Sequence, residues 1–192
     1  MGLPARKRPT YEDILKLGDD VHAEIIAGEL VVHLGPVAEH GAMAAGLTAE
    51  IYNAFFRGRG GPGGWWILIE VDVELPGGEW YRPDLIGYRR DRLPEFPRGR
   101  PLRERPDWVC EVLSASTVRH DKGPKREGWQ RWGVPHLWLA DPMERSITVL
   151  TWHEAGYLLS TVAVEGAPVR LAPFDAIELS LEEILPPAPG AG

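Results

Sequence analysis

The sequence holds a single cysteine, Cys110, among 192 residues. That excludes an internal disulfide and any cysteine-cluster zinc site, and it suits a reducing compartment. The chain also lacks any run approaching the roughly 20 apolar residues of a membrane helix, and its first residues lack the apolar segment of a signal peptide. A cytoplasmic location with no membrane partner is therefore expected. There is no internal repeat, and the length suits one domain with its own core, expected over residues 1–185, with a Pro/Gly/Ala-rich disordered tail over 186–192. Positive charge is scarce overall: 21 Lys+Arg stand against 28 Asp+Glu, a net −7. This argues at first against a nucleic-acid partner, because duplex binding relies on Lys and Arg displacing condensed counterions. The distribution argues the other way. Residues 82–131 carry 13 Lys+Arg against 8 Asp+Glu, whereas the rest carries 8 against 20. A basic third on an acidic body is compatible with a phosphodiester substrate, although a chance fluctuation of surface charge gives the same count.

Several elements can be read in order. Thr10 caps a short helix with acidic residues in its first turn, ending near Gly18. Val21–Ala27 and Leu30–Leu34 read as a hairpin turning at Gly28-Glu29. Glu24, among apolar neighbours, is either an exposed edge residue or part of a site. From Val37 to Phe56, Met43, Leu47, Ile51, Ala54 and Phe55 form a helical apolar stripe. His40 falls near that helix's N-terminus, where it either helps hold a phosphate or packs at the helix entrance. The glycine-dense residues 57–64 follow a helix and lack a Lys-Ser/Thr ending, so they are not a nucleotide-binding P-loop.

Trp65–Leu75 and Glu79–Tyr88 read as a second hairpin with Asp84 in its returning arm. Residues 89–106 form a long loop with four prolines and seven arginines, either a substrate-facing flap or a solvated loop. Trp108–Leu113 is a buried strand. A capping-type sequence, Ser114–Thr117, then precedes a helix that becomes regular near Pro124 and ends before Gly133. His136–Ala140, Ser146–Trp152 and Tyr157–Val164 form a strand followed by a meander, and Leu181–Leu185 a final helical turn.

Strand alternation puts Val109, Glu111 and Leu113 on one face of the Trp108 strand, so Glu111 sits among apolar groups. An ionised carboxylate buried there without compensation costs several kcal/mol, and Asp84, followed by Leu85 and Ile86, poses the same problem. Two such acids on neighbouring strands are best explained by a divalent cation. With neither a cysteine cluster nor a histidine cluster apparent, Mg²⁺ or Mn²⁺ is expected over Zn²⁺. Lys125, on one helix face with Trp129, is placed to orient or deprotonate water or to stabilise developing charge, unless it is simply a surface lysine.

Beyond these readings, Arg82-Pro-Asp-Leu-Ile86, the segment from Pro106 to Thr117 with Glu111 at its centre, Asp121-Lys-Gly-Pro-Lys125, Gly133–Trp138 and Asp141-Pro142 resemble the Uma-two family of restriction-endonuclease-like proteins. That family lies within the PD-(D/E)XK nuclease superfamily. Glu24–Val31 and His40 extend the resemblance upstream. It implies an α/β (α+β) fold with a mixed β-sheet core flanked by helices, an N-terminal hairpin and a C-terminal meander. It further implies Asp84 and Glu111 as metal ligands and Lys125 and Glu24 as further catalytic residues, and His40 matches a frequent family histidine; His40, Arg82 and Ser114 are expected to bind substrate. The superfamily lysine normally stands two residues after the second acid, where this chain has Leu113, so Lys125 would take that role from the helix. Trp129 and Trp132 depart from the family's usual tyrosine and smaller residue. The expected function is a Mg²⁺-dependent endonuclease acting on DNA. The alternatives are a catalytically silent module on the same fold that binds nucleic acid or protein, or a hydrolase of small phosphate esters. Eight tryptophans and the two cuts that duplex cleavage needs suggest a homodimer.

Overall fold

Thr10 opens helix α1 (Tyr11–Leu15), its backbone N–H donating to the Asp13 carboxylate at 2.9 Å. The structure, a computed structural model, describes residues 8–187, so all but two residues of the expected tail lie outside it. Strands β1 (Ala23–Ile26) and β2 (Glu29–Val32) form the expected hairpin, but its turn is Ala27-Gly28, one residue earlier than expected. Both turn residues take positive φ, 51° and 78°, the mirror-image turn that matches strand twist. Helix α2 (Ala38–Ile51) continues as a wide turn, Tyr52–Phe56, and buries the expected stripe.

The second expected hairpin is divided between two sheets. Strand β3 (Trp65–Ile69) pairs with β6 (Leu85–Arg89), while β4 (Val73–Leu75) pairs with β5 (Glu79–Tyr81). The arms break where Glu70 takes φ 48° and where Arg82–Asp84 leave the ladder. The free edge of β5 then pairs with β1, Ile25 opposite Trp80. Periodicity alone could not show this, because each half keeps its alternation across the break.

Strand β7 (Trp108–Val112) is followed by a short helical turn, α3 (Val118–His120), a wide turn (Asp121–Lys125) and helix α4 (Arg126–Trp132). Helical structure thus begins earlier than expected, and Gly123, with non-helical φ and ψ of −111°, breaks it before Pro124. Strands β8 (His136–Asp141), β9 (Ser146–His153) and β10 (Gly156–Val164) and helix α5 (Leu181–Ile184) complete the chain.

Six strands, ordered β10-β9-β8-β7-β6-β3, form one sheet in which only β7 and β8 run parallel; the other sheet is ordered β2-β1-β5-β4. Alternation along β7 divides the core as expected. Trp108, Cys110 and Val112 join the cluster under α2 and α5, whereas Val109 and Leu113 face Tyr81, Trp129 and the small sheet. Helix α4 approaches that sheet closely through Gly128, where an added Cβ would lie 2.3 Å from the Tyr81 hydroxyl.

The arginine-rich loop does not reach into the site as a flap. Arg92 pairs with Asp107, Arg100 with Asp72 and Asp19, and Arg103 with Glu74, while Arg90 donates to the Trp65 and Phe56 carbonyls. Its charges fasten the loop to the body.

Candidate active site

Three strands and one helix deliver the site. Glu24 lies on β1 in register with the inward-facing Ile26, Asp84 immediately precedes β6, and Glu111 lies on β7. Leu85 pairs with Cys110 in the antiparallel ladder, which places Asp84 across from Glu111. Lys125 enters from the wide turn before α4. All seven residues singled out in the sequence, Glu24, His40, Arg82, Asp84, Glu111, Ser114 and Lys125, line one cleft.

At its centre is the ammonium of Lys125, a residue only 3% exposed. It lies 2.9 Å from Glu111 Oε2, 3.1 Å from Glu24 Oε1 and 3.3 Å from Asp121 Oδ1. Trp129, one turn further along the helix, donates its indole N–H to Glu111 Oε1 at 3.0 Å. Glu24 Oε1 also accepts the Arg82 backbone N–H at 2.6 Å, and its Oε2 lies 2.7 Å from His33 Nε2. Asp84 Oδ2 accepts the Val112 N–H at 2.6 Å, and Oδ1 is 3.1 Å from His40 Nε2. Glu24 is thus fully buried and not an exposed edge residue, and His40 faces a carboxylate. The Arg82 guanidinium donates to Asp72 at 2.6 Å, and the Ser114 hydroxyl lies within 3.1 Å of those of Ser116 and Thr117.

The electrostatics are unbalanced. Burial opposes the Lys125 charge, but Glu111, Glu24 and Asp121 hold its proton on and raise its pKa well above the usual lysine range. Glu111 moves the other way from an ordinary carboxylate: burial raises it strongly, Lys125 offsets only part, and Asp121, Glu24 and Asp84 add to the rise. Asp121 is raised for the same first reason. Glu24 is lowered, because Lys125 and His33 outweigh its burial. His40 is raised by its contact with Asp84, against some loss from burial. Three carboxyls, those of Glu111, Glu24 and Asp121, therefore contact one ammonium, with Asp84 in the same cleft, and the cleft favours uptake of protons or a cation.

That donor set fits a hard divalent ion. Asp84 and Glu111 each have both oxygens engaged once, yet an ionised carboxylate offers about four lone-pair sites, which leaves room for a metal on either. The expectation that no histidine cluster exists requires correction. Among the described residues, His22, Glu24 and His33 bring ligand atoms within 4.8 Å of one another. Asp121 was also missed as a site residue, although its spacing of four from Lys125 carried the signal.

A family model described as Uma2, putative restriction endonuclease, matches residues 8–182. Among solved structures, the chain is similar to the crystal structure of a putative nuclease belonging to DUF820 from Anabaena variabilis ATCC 29413. The match has a TM-score of 0.71 and 21% identity and covers 92% of this chain and 97% of that one. At that identity the likeness establishes the nuclease-type fold. No curated protein matches. No helix among the described residues is long and apolar enough to cross a membrane.

Proposed function

The chain belongs to the Uma2 family of putative restriction endonucleases, and from that premise we propose a Mg²⁺- or Mn²⁺-dependent endonuclease that hydrolyses phosphodiester bonds in DNA. One observation carries this reading: Asp84, just ahead of β6, and Glu111, on the adjacent β7, share a cleft whose five carboxyls, those of Glu24, Glu70, Asp84, Glu111 and Asp121, exceed its one ammonium. Asp84 and Glu111 would hold the ion, which when bound supplies Lewis-acid charge neutralisation and a more acidic water.

The remaining work falls to the chain's own side chains. The Val112 N–H and His40 fix the Asp84 carboxylate, and the Trp129 N–H and Lys125 fix that of Glu111, so neither acid must reorganise when substrate arrives. Glu111, Glu24 and Asp121 favour the protonated form of Lys125, which suits it to stabilise charge developing on the phosphoryl group or to orient water. Glu24 and Asp121 hold Lys125 in place and act on the chemistry through it. Arg119 and Lys122 are exposed on the same turn as the cleft residues Thr117 and Asp121, where they would meet a phosphate backbone.

The test is a titration of Mg²⁺ and Mn²⁺ into the purified, chelator-stripped protein with plasmid and single-stranded DNA. The expected result is cleavage that depends on the ion and saturates with it. Saturable ion binding without cleavage of any substrate would favour a binding module on the same fold.

A further inference from the structure

The β1–β2 hairpin brings three potential ligands to one face. The His33 N–H donates to the His22 carbonyl at 2.9 Å, which extends the ladder one pair beyond Ala23 and Val32. His22 and Glu24 are two residues apart on one arm, and His33 is the cross-strand partner of His22, so strand alternation points all three the same way. Their rings and carboxylate converge: the imidazole centroids are 4.9 Å apart, and the ligand atoms lie within 4.8 Å of each other.

One of these atoms is unaccounted for. Nε2 of His22 is buried without a hydrogen-bond partner, whereas Nε2 of His33, whose side chain is only 4% exposed, lies 2.7 Å from Glu24 Oε2. A buried polar atom in this position normally has a partner.

We propose that His22, Glu24 and His33 form a second metal site, for an imidazole-preferring transition cation of the Zn²⁺ class, distinct from the oxygen ligands Asp84 and Glu111. Two imidazoles and one carboxylate are a donor set that Zn²⁺ accepts with a further position open, whereas Mg²⁺ prefers oxygen alone. The 2.7 Å separation of His33 and Glu24 would open slightly to admit the ion. The site shares a carboxylate with the cleft, because Glu24 Oε1 contacts Lys125 while Oε2 faces the histidines. An ion on Oε2 therefore draws on the same charge that holds Lys125, which links occupancy of this site to the cleft without requiring that the cleft be catalytic.

The test uses the full chain, stripped of metal and titrated with Zn²⁺ against a chromophoric chelator. One Zn²⁺ is expected to bind to the Asp84→Asn/Glu111→Gln variant, where the histidine site alone remains, and the wild type should show a site of the same affinity. Affinity should fall at least about tenfold in His22→Gln and in His33→Gln, since even outer-shell changes cost that much. Far-UV circular dichroism establishes that each variant is folded. Electron paramagnetic resonance of Cu²⁺ bound to the wild type needs no variant and should show coupling to two imidazole nitrogens. The inference is overturned by unchanged Zn²⁺ affinity in the histidine variants, by loss of the Zn²⁺ site in the Asp84→Asn/Glu111→Gln variant, or by Cu²⁺ spectra without nitrogen coupling. None of these results depends on DNA cleavage, so the endonuclease reading stands or falls separately.

Discussion

Two buried charge clusters meet at Arg82 and are built on opposite principles. Its guanidinium belongs to the first, where Asp72 accepts from Arg82 at 2.6 Å, Arg100 at 2.9 Å and the Tyr11 hydroxyl at 2.6 Å. One carboxylate there faces two cations and a phenol, and these contacts outweigh burial to lower its pKa. The backbone N–H of the same Arg82 belongs to the second cluster, through Glu24. There, carboxyls outnumber cations, and burial raises Glu111 and Asp121. A cluster that satisfies its own charge serves the fold, fastening the arginine-rich loop and α1 to the body. One that leaves an excess is costly to the fold and useful to a ligand.

The difference is broken most severely by removing an acid from each. In the unbalanced cluster, Asp84→Ala or Glu111→Ala should lower the rate of DNA cleavage about a thousandfold or more, the scale of losing pre-organised electrostatic stabilisation. Both variants should stay folded at the assay temperature, which far-UV circular dichroism checks. Full cleavage by either purified variant removes these residues from the site. In the balanced cluster, Asp72→Asn should do the reverse. It leaves the buried Arg82 guanidinium without its carboxylate, while Arg100 keeps Asp19, at a cost of about 3 kcal/mol, which lowers the melting temperature by roughly 6–12 °C for a chain of this size, while the folded fraction still cleaves. A thermal melt unchanged by Asp72→Asn would show that this cluster is not what holds the loop.

Lys125→Met sharpens the comparison from the cation side. It should reduce turnover about a hundredfold with less change in metal affinity, and an unchanged rate would remove the lysine from the chemistry. It also leaves Glu111, Glu24 and Asp121 without their common partner, so the variant should melt well below wild type. Saturating Mg²⁺ should recover part of that loss, since an ion at 100 times its Kd stabilises by about 2.7 kcal/mol. Wild type should gain from Mg²⁺ as well, and Asp84→Ala should not.

How far such a contrast can be read before folding depends on the range of each contact. Glu111 was legible because strand alternation alone puts a carboxylate on an apolar face, and the one-turn spacing of Lys125 and Trp129 gave its partners a common helix face. The split of the 65–88 hairpin between two sheets was not legible, because both halves alternate correctly and the choice is made by distant β1. Burial of Glu24 depends on that same choice. Asp121 turns inward only because the chain is already helical before Pro124. The pairing of His22 with His33 hinges on one residue of turn register: with the turn at Gly28-Glu29, His22 would face Gly35. The loop arginines showed their charge but not Asp72, Glu74 and Asp107, which neutralise them from afar.

The smallest expected effect, and the one that separates the clusters by sign, is the pH dependence of stability. Asp72 has a lowered pKa in the folded chain, so its contribution is full above the ordinary carboxylate range and is lost as pH falls through the folded value. The gap between wild type and Asp72→Asn should therefore be wide at neutral pH and close in acid. Glu111 has a folded pKa raised to about 8, first by burial. Its contribution is full below the unfolded value, about 4.3, and is lost as pH rises through the folded one. Glu111→Gln keeps an oxygen for the Trp129 N–H and does not titrate, so relative to wild type it should gain melting temperature as pH rises across that interval. Each kcal/mol gained appears as roughly 2–4 °C. Thermal melts without metal between these limits check the sign, and parallel curves for Glu111→Gln and Asp72→Asn would mean that the two clusters carry charge in the same way.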